Sequence, residues 1–109
     1  MEHAVREQGN VLVVSLKGEV DLDNSPRARE VLLDCVGRGK QVFVDLSGVT
    51  YIDSSGIASL VEAFQISRQK SSGFALVSVN PAALRVLELA RLDRVFTIHD
   101  DLEAGLDGG

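Results

Sequence analysis

The chain has 109 residues, of which 45% are hydrophobic and 25% charged, and its net charge is −5. Such a chain can bury a core as one domain without staples, which excludes bulk disorder. The acid excess, with no basic stripe among aromatics, argues against nucleic acid as a partner, and the single cysteine, Cys35, excludes an internal disulfide and a Cys-rich metal site.

The opening Met1–Glu7 is charged and lacks the apolar run of a signal peptide, so a reducing, cytoplasmic setting is expected, with His3 in a mobile terminus. No stretch is apolar over a bilayer's thickness, so no direct membrane insertion is expected. Val11–Leu16 is β-branched and apolar between Gly9-Asn10 and Gly18, and is predicted as the first strand. Glu19–Asn24 follows as an acidic loop or strand exit.

Ser25-Pro26 predicts a helix start, with Ser25 as cap and Pro26 at the first helical position, where its missing N–H costs nothing. Ala28, Val31, Leu32, Cys35 and Val36 continue at helical spacing until Gly37 and Gly39. Cys35 falls within that stripe and is read as a buried structural thiol. Val42–Leu46 is a second, central strand, and Ser47–Thr50 is read as its connection onward. A helix is predicted from about Ser54 to Lys70, burying Ile57, Leu60, Val61 and Phe64. Phe74–Val79 is a third strand.

Asn80-Pro81 repeats the cap-then-proline start, followed by Ala83, Val86, Leu87 and Ala90. Leu92-Asp93 turns the chain into a last strand, Val95–Ile98. A short helix is expected over Asp100–Leu106 and a short flexible tail at about 107–109. Strands that alternate with helices need crossovers, so the predicted fold class is α/β. Its sheet has four or five strands, mixed but mostly parallel, packed with about four helices in one domain over residues 1–109.

The segment Tyr-Ile-Asp-Ser-Ser-Gly, Tyr51–Gly56, sits at the junction of strand and helix. Asp53 or Ser54 can cap the helix, and Gly56 permits close packing in its first turn. The same geometry suits an added anion, because free amides and the positive end of the helix dipole meet there. A phosphoserine would bring about −1.5 to −2 charges to that point.

Three segments resemble the STAS-domain family, and more closely its anti-sigma factor antagonists. They are Leu16–Asp21, with Gly-Glu-hydrophobic-Asp; Val44–Gly56, with Asp-Ser-Ser-Gly; and Leu87–Phe96, the late helix and last strand. The resemblance spans essentially the whole chain, and its middle segment is the specific one. It implies a protein whose unmodified form binds an anti-sigma factor serine kinase and frees the sigma factor. Phosphorylation of the first serine after the aspartate, Ser54 by position, releases it, and a PP2C-type phosphatase resets it. The implied partner surface is Asp53, Ser54, Ser55, Gly56 and Ile57 together with Asp21, Asp23 and Asn24. Asp21 and Asp23 also read as plain solvated loop acids.

After Gly56 the chain runs Ile57-Ala58-Ser59, where many phosphoswitch members carry a second glycine. The sequence is also similar to STAS subunits of ABC-type phospholipid transporters, whose partner is a membrane permease and which need no phosphoswitch. Enzyme motifs are missing: Ile52 and Asp53 stand where a nucleophile elbow at Ser54 or Ser55 needs glycine. Asp21-x-Asp23 hints at calcium, but Pro26 stands where an EF-hand loop needs glycine. No P-loop or dinucleotide fingerprint is present. The expectation is a binding protein with no catalytic residues, no metal and no cofactor.

Overall fold

The computed structural model describes residues 1–108. Its five-stranded sheet has the order β1-β2-β3-β4-β5. The strands are β1 (Glu2–Gln8), β2 (Val11–Val20), β3 (Gln41–Ile52), β4 (Phe74–Val77) and β5 (Thr97–His99). Only β1 and β2 pair antiparallel; β2–β3, β3–β4 and β4–β5 are parallel. The helices are α1 (Ser25–Gly37), α2 (Ser54–Gln69), α3 (Pro81–Leu89) and α4 (Leu102–Gly108). The α/β class and the mixed, mostly parallel sheet are as expected.

Alternation along the strands decides which residues face which layer. Leu12, Val14 and Leu16 of β2 join Val42, Val44 and Leu46 of β3 in the main core, with Leu32 of α1, Leu60 of α2 and Leu87 of α3. On the opposite face, Phe43, Ala75 and Val77 are covered by Leu102 and Leu106 of α4. Phe64, Phe74 and Phe96 close the far end of the main core, with Phe64 and Phe96 edge to face at 5.4 Å. Cys35 is buried and free in the main core, and burial raises its thiol pKa.

Several boundaries differ from expectation. The first strand is β1, not Val11–Leu16, and His3 lies within it rather than in a loose terminus. All seven β1 side chains are exposed, so no apolar period announces the strand. A two-residue turn at Gly9-Asn10 joins it to β2, with Gly9 at φ +63° in the left-handed region. Ser47–Thr50 belongs to β3 instead of a connector: β2 runs on beside it through register shifts between Ser15 and Lys17 and between Gly18 and Glu19.

β4 ends at Val77 because Ser78 turns to φ 52°. The last strand begins at Thr97, since the amides of Val95 and Phe96 both bond back to Leu92 O at 3.0 Å. Ser25 is the first helical residue of α1, after Asn24, and offers no side-chain cap. Ala90 is exposed rather than part of a buried stripe. Of the expected tail, Asp107 and Gly108 fall in α4, and Gly109 lies outside the described residues.

Candidate functional site

β2 and β3 run side by side to Val20 and Ile52, so both chains leave the sheet at one point. There the Asp53 amide bonds to Val20 O at 3.3 Å, which ties the start of α2 to the end of β2. Gly56 allows this approach. A Cβ on it would stand 2.6 Å from Val20 O and 2.7 Å from Ile52 Cγ1. The loop Asp21–Asn24, leaving β2, is thereby held against the first turn of α2.

Asp53 is the N-cap, with extended backbone at φ −111°, ψ −171°. Its Oδ1 accepts from the amides of Ser55 at 2.9 Å and Gly56 at 3.2 Å, and from the Ser55 hydroxyl at 2.5 Å. The hydroxyl above all, then these amides and that of Leu22, hold its carboxyl below the usual carboxylate range against the effect of burial. The cap is thus an anion whose bonds point into its own helix.

Ser54 is the first residue of α2 and is exposed, whereas Ser55 is half-buried and bonded to the cap. Ser54 stands exposed at the positive end of the α2 dipole, while the Ser55 and Gly56 amides there are already taken by the Asp53 carboxylate. Gly56 and Ile57 are buried against the core and lend the site shape without side-chain surface. In the adjoining loop Asp23 is exposed, and Asp21 and Asn24 are half-buried. Asp21 Oδ1 accepts from both the amide and the side-chain nitrogen of Asn24, at 3.0 and 2.9 Å, and so shapes the loop. Among the described residues, no group of three or more His, Cys, Asp or Glu is placed to hold a metal ion, and no helix is long and apolar enough to cross a membrane.

Sequence reasoning missed Leu22, which is 73% exposed at the centre of this loop. Its signal was available: an apolar residue between two acids, outside any core period. It also missed the pairing of Arg29 on α1 with Glu62 on α2, at 2.9 and 2.7 Å in a two-pronged contact. This pair raises the Arg29 pKa and lowers that of Glu62. It borders an open groove of about 280 Å³ between the two helices, to which Pro26, Ser55 and Ala58 also contribute.

Proteins of known role share this framework. The anti-sigma-B factor antagonist of Bacillus subtilis (strain 168) is 24% identical over 94% of both chains. The anti-sigma F factor antagonist of Paenibacillus polymyxa is 28% identical over 93% of this chain and 85% of its own. The crystal structure of an anti-sigma factor antagonist from Mycobacterium paratuberculosis superposes with a TM-score of 0.90 at 27% identity, covering 98% of this chain and 92% of that one. The STAS domain family model matches residues 2–105, and the chain belongs to the STAS domain family.

Proposed function

We propose that the protein is an anti-sigma factor antagonist that works by binding, not catalysis, in the cytoplasm. Its unmodified form docks on an anti-sigma factor that is also a serine kinase, and so frees the sigma factor. The kinase phosphorylates Ser54, the complex parts, and a PP2C-type phosphatase restores the free hydroxyl. The docking surface is the Ser54 end of α2 with the Asp21–Asn24 loop.

The observation that carries this reading is the division of labour between adjacent serines. Ser55 is engaged with Asp53 at 2.5 Å, while Ser54 is exposed at the first position of the helix. The names of the relatives support the regulatory role. A hundredfold loss of affinity needs about 2.8 kcal/mol. A phosphate left unpaired in a formerly dry contact can supply several kcal/mol, so one modified hydroxyl is enough.

The test is incubation with the candidate kinase and ATP, followed by mass mapping. Wild type takes up one phosphate on Ser54, and Ser54→Ala takes up none. Ser54→Ala retains the kinase, and Ser54→Glu binds it more weakly. Equal binding by both variants sinks the electrostatic switch. Co-purification with a permease and its ATPase, with no phosphate transferred, replaces this reading with the transporter-subunit role.

A further inference from the structure

β1 is an edge strand, and its outer side has no partner strand in the sheet. The turn that makes it determines which backbone groups are free. A two-residue loop closes on a pair that exchanges both backbone hydrogen bonds, and such pairs alternate along an antiparallel ladder. Counted from Gln8 opposite Val11, the amides of Gln8, Arg6, Ala4 and Glu2 face β2. Those of Glu7, Val5 and His3 face outward. Edges of this kind usually carry charges that repel a second strand.

We propose that this edge pairs with the β1 edge of a second copy of the chain, antiparallel about a two-fold axis at Val5, to give one continuous sheet. That register matches the full length of the strand and engages all three outward-facing residues. Val5 then lies opposite Val5 of the second copy. His3 lies opposite Glu7 of the second copy, and Ala4 opposite Arg6. Glu2 lies opposite Gln8 and diagonal to Arg6 of the second copy, on the same face, where the two Arg6 side chains also lie diagonal to each other across the axis. The two His3–Glu7 pairs and the two Glu2–Arg6 diagonals outnumber the single Arg6–Arg6 diagonal, so the strand is on balance complementary to its own reversed order. Within its own chain, one oxygen of Glu7 takes Lys40 Nζ at 2.5 Å, which leaves the other for His3 of the second copy. Val5, 39% exposed, supplies the apolar centre. The contact is isologous, so it closes at two copies. It does not depend on the Ser54 switch.

One strand pair is a small interface, so the dimer is a weak one, to be followed by sedimentation from about 10 to about 500 µM. The full chain should pass from monomer to dimer over that range. Val5→Pro removes only an outward-facing N–H and leaves the β1–β2 ladder complete. It should weaken the dimer about tenfold or more while the circular dichroism is unchanged. Val5→Cys gives a second readout independent of that variant's folding. Hydrogen-bonded pairs hold their Cα atoms about 5.5 Å apart, within disulfide reach, so mild oxidation should yield a covalent dimer. Cys35 is buried and does not compete. A wild-type chain that stays monomeric throughout, a dimer indifferent to Val5→Pro, or a Val5→Cys chain that does not cross-link overturns the proposal.

Discussion

The Ser55 hydroxyl donates to Asp53 Oδ1 at 2.5 Å, so of two neighbouring serines one completes the helix cap and the other stays available. The cap also takes the Ser55 and Gly56 amides, which have no partner inside the helix. Asp53→Ala should therefore lower Tm by about 5 °C at neutral pH. The sign of its pH dependence follows from the lowered carboxyl pKa. The Asp53 contribution is fully present above the ordinary value of 3.8 and is lost as pH falls through the lower value of the folded protein. The Tm gap between wild type and Asp53→Ala should close over that acid interval. Thermal melts in acid steps measure it, and a gap independent of pH contradicts the cap's ionic character.

Gly56→Ala forces a methyl to within 2.6 Å of Val20 O, a backbone atom that cannot rotate away. Either α2 lifts from the end of β2 or the strand shifts. The expected cost is about 1–3 kcal/mol, read as a lower midpoint in urea with unchanged m. The Asp21–Asn24 loop and Ser54 move apart in the process, so kinase binding should fall further than stability alone explains. A variant as stable as wild type removes the close approach as the reason for glycine here.

Asn80 joins two elements through both ends of its amide. Its Oδ1 caps α3 by accepting from the Ala83 amide at 3.0 Å, and its Nδ2 donates to the carbonyls of Leu46, at 3.1 Å, and Val49 in β3. Asn80→Asp keeps the cap but turns a carboxylate onto those carbonyls. It should destabilise by about 1–3 kcal/mol, although aspartate and asparagine cap alone about equally well. Chemical denaturation of Asn80→Asp beside Asn80→Ser separates the two roles. A neutral Asn80→Asp shows that the contact with β3 adds nothing.

The strand-to-helix junction at Asp53 was legible because capping, helical spacing and glycine all pointed to one place. The helix over Ser54–Gln69 and the cores of β2, β3 and β4 were legible for the same reason: each repeats apolar residues at one period. β1 was not, because a strand that buries no side chain leaves no period to read, and its only local signal is the Gly9-Asn10 turn. The outer half of β3 was also missed. Ser47 and Gly48 are weak strand formers, held extended by a long β2 that adjusts through two register shifts. Exposure at the site was the least legible feature. Nothing in Ser54-Ser55 states which hydroxyl turns outward, since that depends on where the Asp53 carboxylate lies.

Leu22 gives the sharpest test of the docking surface. It is 73% exposed in the loop that packs beside Asp53, so it contributes little to the fold, and its removal should change stability by less than about 0.5 kcal/mol. An apolar side chain at the centre of a polar loop is costly to leave in water and rewarding to cover, as interface anchors are. Leu22→Ala should thus weaken kinase binding about tenfold and slow phosphorylation of Ser54 to a similar degree at limiting kinase. Leu89 is the matched control: it is 81% exposed at the end of α3, outside this loop. Titration calorimetry on Leu22→Ala and Leu89→Ala distinguishes local contact from general surface hydrophobicity. Equal losses in both variants, or none in Leu22→Ala, move the docking surface away from the Asp21–Asn24 loop.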